Sequence, residues 1–197
     1  QPCSSAASDV YKRQCLDRHI ENGDGERTAL IWEGNDSSEN KFYSYNELLK
    51  EVNKFSNVLK SLGAKKGDRV CLYMQMIPEL AIAMLACARI GAIHSIVFGA
   101  FSSDSLRDRI NDSKCKFLIT QDTGIRGQKL DIPMKSNANK ALDETPSIKS
   151  VIVVKRTNYE VSMTNGRDHW WDVLMSEANA NCKPESMNAE DLSLIHI

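Results

Sequence analysis

What the chain lacks bounds its function first. No apolar run approaches the ~20 residues needed to cross a bilayer; the longest, from Leu80 to Ile90, is broken by Arg89. The start has no succession of basic, apolar and small residues of the secretory kind, so the cytoplasm is the expected compartment and no membrane partner is expected. Neither sign of charge dominates, with 25 Lys and Arg against 26 Asp and Glu. Nothing pulls the whole molecule toward nucleic acid, and any polyanion must be met locally. The cysteines at 3, 15, 71, 87, 115 and 182 form no C-x-x-C pair, and three lie in apolar runs where a free thiol packs as a small hydrophobe. Neither a disulfide framework nor a metal site is expected.

Recognisable catalytic signatures are missing as well. There is no G-x-x-x-x-G-K-[ST] phosphate loop, no G-x-G-x-x-G, no G-x-S-x-G and no H-E-x-x-H. No catalytic residue is assigned. His19 and His94 have no Asp or Cys at a catalytic or ligating spacing and read as structural.

What is present is the balance of a globular core, 42% hydrophobic and 26% charged, arranged in a regular alternation. Strands are expected at 28–32 (TALIW), 42–45, 69–74 (RVCLYM), 94–98 (HSIVF), 116–120 (KFLIT) and 150–155 (SVIVVK). Ser44 with Glu47 makes a capping box opening a helix whose Leu48, Val52, Phe55, Leu59 and Leu62 share one face until Gly63 ends it. Pro78 opens an alanine-rich helix, and further helices are expected over 103–112 and near 137–144. Trp170 and Trp171 read as anchors of a short helix. Near-continuous apolar strands alternating with amphipathic helices give an α/β fold, a mostly parallel sheet with helices on both faces. Ligands of such sheets collect at the carboxyl ends of strands, which directs attention to the loops after Met74, Phe98 and Thr120.

Two of those loops carry suggestive chemistry. QDTGIRGQKLDIP sets Gly124 and Gly127 around Arg126 and Lys129, a fork and a mobile point charge suited to phosphate. VFGAFSSDSLRDRI sets Gly99 directly after a strand and Ser102 or Ser103 at a helix N-cap, a wall that could face a nucleotide. A solvated basic loop and a plain strand-to-helix turn have the same composition, so spacing alone leaves both readings open. Arg107 and Arg109 are most simply solvated or paired with Asp104, Asp108 or Asp112.

The ordered segments CLDRHIENG, ALIWEGND, LKSLGAKKGDRV, MLACARIGAIHSIVFGAFS, GIRGQK and GRDHWWDVL resemble acetyl-coenzyme A synthetases of the acyl-adenylate-forming superfamily. The match runs over residues 15–191, and the fold it implies is the first part of the large N-terminal domain of such an enzyme. The activity it implies is an acetate-CoA ligase: acetate and ATP, with magnesium, give acetyl-adenylate and pyrophosphate, and the acetyl group passes to coenzyme A. The implied coenzyme A contacts are Arg126, Gly127, Gln128 and Lys129 at the phosphorylated adenosine end, with Phe98, Gly99 and Ala100 on the adenine side. Ala100 departs from the family, which usually has a second glycine there.

Residues 1–14 and 192–197 match nothing in that family and read as non-native tails resembling translated adaptor sequence. The family's Ser/Thr/Gly-rich ATP loop does not appear, so the chain is expected to be an N-terminal fragment, inactive alone. Propionate or another short acyl acid remains an alternative substrate, and a non-catalytic coenzyme A or nucleotide-binding module an alternative of another class.

Overall fold

A computed structural model describes residues 13–187 and Asp191; the expected tail at 192–197 and most of that at 1–14 lie outside the described residues. A π-helical turn, Arg13–Asp17, leads into a short helix α1 (Arg18–Glu21), where His19 stacks on Tyr45 at 4.5 Å in a packing role. An antiparallel pair follows, β1 (Thr28–Trp32) and β2 (Lys41–Ser44). Helix α2 (Tyr45–Ser61) starts on the expected capping box: Glu47 N donates to Ser44 Oγ at 3.2 Å, and Ser44 N donates to Glu47 Oε2 at 2.8 Å. Gly63, at φ +90°, supplies the left-handed residue that ends it.

The main sheet comprises β3 (Arg69–Met74), β4 (Ile93–Phe98), β5 (Phe117–Gln121), β8 (Ser150–Val154) and β9 (Asp168–Trp170), in the order β4-β3-β5-β8-β9, with every pair parallel. Its helices are α3 (Pro78–Arg89), α4 (Ser103–Ser113), α5 (Met134–Leu142) and α6 (Trp171–Glu177). Alternation along the strands divides the core in two. Val70, Leu72, Met74, Phe117, Ile119, Ile152 and Val154 face α2, α3 and α6. Cys71, Tyr73, Leu118, Val151 and Val153 face α4 and α5. Strands buried on both faces read as continuous apolar runs for this reason, and the expected α/β fold holds.

Small side chains bring the helices close. Ser56 Oγ of α2 donates to the Ala86 carbonyl of α3 at 3.4 Å, an approach a larger residue at 86 would block. Trp171 is buried with its ring 3.8 Å from that of Phe55, so it anchors α6, whereas Trp170 ends β9 under Lys155. Cys71, Cys87 and Cys115 are buried free thiols, and burial pushes the Cys87 thiol well up. No helix of the described residues is long and apolar enough to cross a membrane.

Three expectations need correction. The glycine-bearing segment after β5 is a hairpin, β6 (Gly124–Arg126) with β7 (Lys129–Ile132). Helix α5 starts at Met134 instead of near 137, because Pro133 is tolerated at its N-cap. Strand β9 was not expected: three residues with no apolar alternation carry no signal of their own. It is held by a buried ion pair, Lys135 Nζ to Asp168 Oδ2 at 2.7 Å, both side chains fully buried. Lys135 also donates to the Ser162 carbonyl at 3.0 Å and to Asn139 Oδ1.

The pair makes stability pH-dependent. Burial alone would raise the Asp168 carboxyl, but hydrogen bonds from Arg167 and Lys135 outweigh it and hold the group below its ordinary 3.8. The unfolded chain therefore takes up this proton first on acidification, so the contribution is complete above that ordinary value and is lost as pH falls through the depressed one. Asp168→Ala, which leaves a buried ammonium unpaired, is expected to cost about 3–5 kcal/mol in urea unfolding at neutral pH. A loss below ~1 kcal/mol would show that the pair is not what holds β9.

On the other side, β4 is an edge strand whose Ile96 and Phe98 are 39% and 61% exposed, and among the described residues nothing pairs with its outer edge. Such an edge recruits further strands. The isolated chain is expected to self-associate in light scattering, and Ile96→Lys to shift it toward monomer.

Candidate functional site

The chain runs from β3 outward to β4 and then returns across β3 to β5, so β3 and β5 lead in opposite directions from a switch point. A crevice opens at their carboxyl ends, where α/β sheets of this order take ligands. Two glutamines occupy it. Gln75 N donates to Gln121 Oε1 at 2.9 Å, and Gln121 Nε2 donates to Gln75 Oε1 at 3.3 Å. The Gln75 side chain also pairs with the backbone of Ile125 as a neighbouring strand would: Nε2 donates to the carbonyl at 3.0 Å and Oε1 accepts from the amide at 2.8 Å. That fixes the base of the β6–β7 hairpin. Gly124 must be small for this, since a Cβ there would lie 2.8 Å from Gln75 Cδ.

At the hairpin tip, Arg126 pairs with Lys129 across Gly127 and Gln128. Gly127 takes φ +60°, as the first central residue of a type II′ turn requires. Both cations are exposed, and neither has an acidic partner among the described residues.

The end of β1 closes the opposite wall. Trp32 Nε1 donates to the Met76 carbonyl at 2.7 Å, and Asn35 Nδ2 donates to the Gly127 carbonyl at 2.9 Å. A third wall comes from the loop after β8. Asp122, fully buried, accepts from the amides of Thr123, Arg156, Thr157 and Asn158, which folds that loop over the end of β5. Arg156 then lies 5.2 Å from the Trp32 ring and holds Glu39 through two bonds of 3.1 and 2.6 Å. The guanidinium keeps the Glu39 carboxyl below its ordinary range. Arg156 is thus committed to structure, unlike Arg126 and Lys129.

These walls enclose a cavity of about 720 Å³. Of the residues expected from the sequence, Phe98, Gly99, Ala100, Arg126 and Lys129 line it together; Gly127 and Gln128 form the turn and do not. A Cβ on Gly99 would lie 2.9 Å from Met134 Cε and 3.2 Å from the Met74 carbonyl, so the backbone passes closely there. Arg107 pairs with Asp104, Asp108 and Glu144, while Arg109 lies over Phe101, so neither is placed at the site. The sequence reading missed Trp32, Asn35, Gln75 and Arg156 as lining residues. Gln75 and Arg156 sit just past strands β3 and β8, where the carboxyl-end rule could have found them; Trp32 and Asn35 gave no such signal. No cluster of three or more His, Cys, Asp or Glu able to hold a metal ion occurs among the described residues.

The fold, with its crevice at the switch point, defines a doubly wound α/β protein. The AMP-binding enzyme family matches residues 16–196, and the chain belongs to that family. It is 57% identical over 181 residues to the acetyl-coenzyme A synthetase of Rubrobacter xylanophilus, covering 92% of this chain and 28% of that protein. It is 53% identical over 177 residues to acetyl-coenzyme A synthetase 2 of Pseudomonas putida and 50% identical over 177 to the acetyl-coenzyme A synthetase of Halorhodospira halophila, covering in each case 90% of this chain and 27% of the relative. The chain therefore spans a little over a quarter of the length of these relatives.

The Gly124–Gln75 contact is testable. Gly124→Val should displace Gln75, lower stability by about 1–3 kcal/mol and speed hydrogen exchange at the Ile125 amide. An unchanged exchange rate would mean that Gln75 does not fix the hairpin.

Proposed function

We propose that the chain is the coenzyme A-receiving part of an acetate-CoA ligase, a cytoplasmic enzyme that makes acetyl-adenylate and pyrophosphate from acetate and ATP with magnesium, then acetylates coenzyme A. One observation carries the reading: Phe98, Gly99 and Ala100 meet Arg126 and Lys129 around a single cavity. Exposed Phe98 offers a flat apolar face to a purine. The unpaired guanidinium and ammonium supply charge-assisted hydrogen bonds to phosphate, which gain more than neutral ones. Arg126 and Lys129 are assigned to the phosphorylated adenosine end, with Gly127 and Gln128 shaping the turn that presents them. No adenylation or magnesium step is assigned to these residues.

In the complete ligase, Lys129→Glu should weaken coenzyme A binding by about 1–3 kcal/mol. Acetate-dependent pyrophosphate exchange, which uses no coenzyme A, should persist. If exchange and acetyl transfer fall together, the hairpin is structural and the assignment is wrong.

A further inference from the structure

The cationic hairpin is fastened along its base, where Thr123 Oγ1 donates to the Leu130 carbonyl at 3.0 Å, and at its tip. Gln75 holds its base from the switch point. Its tip is held from the β1–β2 connection, by the single bond from Asn35 Nδ2 to the Gly127 carbonyl at 2.9 Å. That connection is itself well braced. Trp32 is tied to Met76, Gly34 N donates to Asn40 Oδ1 at 3.1 Å, Asp36 caps the turn at Ser38 (2.8 Å), and Glu39 is held by Arg156. Asn35 therefore reaches out from a fixed platform to a turn whose Gly127 and Gln128 are both exposed.

We infer that Asn35 is a positioning residue for the phosphate-binding cations: by fixing the Gly127 carbonyl it sets the plane of the Gly127–Gln128 turn and hence the directions in which Arg126 and Lys129 leave it. The inference rests on the coenzyme A reading above. In a two-residue turn the flanking residues are paired, so tilting the turn moves both cations together. Charge-assisted bonds to a phosphate need donors already aimed, and a tether lowers the ordering cost of binding. Asn35 makes the contact with an amide donor, which neither Asp nor Ala can supply.

Asn35→Ala in the complete ligase tests this, with coenzyme A and dephospho-coenzyme A, which lacks the 3′-phosphate, as alternative substrates and Lys129→Glu as reference. The expected result is a KM for coenzyme A raised roughly 3- to 10-fold, on the scale of one hydrogen bond, with kcat and thermal midpoint little altered and the KM for dephospho-coenzyme A nearly that of the parent. Asn35→Asp should be at least as impaired. An equal rise for both substrates would overturn the inference, since Asn35 would then not act through the phosphate; so would no rise for either. If Lys129→Glu weakens coenzyme A while Asn35→Ala does not, the tether alone fails. If Lys129→Glu has no effect on coenzyme A, the coenzyme A reading fails and the inference with it.

Discussion

The parallel pairing of β3 with β5, each strand buried on both faces, is the constraint from which the site follows. It sets Gln75 and Gln121 side by side at the sheet's carboxyl edge, where their amides can bond to each other and to the backbone beyond. From there the connections spread outward: Gln75 to the β6–β7 hairpin, Asp122 to the loop after β8, and that loop to Trp32 and Glu39. Were the order of strands different, the same residues would lie on separate edges.

Much of the fold was legible in local chemistry. The Ser44–Glu47 box, Gly63 after α2 and Pro78 at the start of α3 each act through residues a few positions away, and each stands where expected. The apolar runs gave the central strands because two-sided burial leaves a continuous signal. β9 and the β6–β7 hairpin were not legible for the converse reason. Asp168, His169 and Trp170 form a strand because Lys135, 33 residues away, holds Asp168. The hairpin is held by Thr123 nearby but also by Gln75 and Asn35, at 50 and 92 residues' remove.

The candidate site divides in the same way. Arg126, Lys129, Phe98, Gly99 and Ala100 could be singled out because residue type and position after a strand suggested chemistry, and the family resemblance joined them. Trp32 and Asn35, which help to hold the cavity in shape, could not, because they look like ordinary strand-end and loop residues until their partners are known. Arg156 is instructive: as a cation at the crevice it invites a ligand role, yet Glu39 and the Trp32 ring already occupy it.

The cavity's walls come from five stretches of chain, the first at residue 32 and the last at residue 156. The stretches at 32–35, 75–77 and 125–132 are tied to one another by hydrogen bonds, and Arg156 lies against the Trp32 ring. During synthesis, therefore, the crevice cannot close when β3 and α3 first emerge; it must wait for β5, the hairpin and finally the loop after β8. Contacts of such long sequence separation slow folding and leave strand edges open meanwhile. The crevice is thus among the last features this chain acquires, although its central strand is among the earlier ones made.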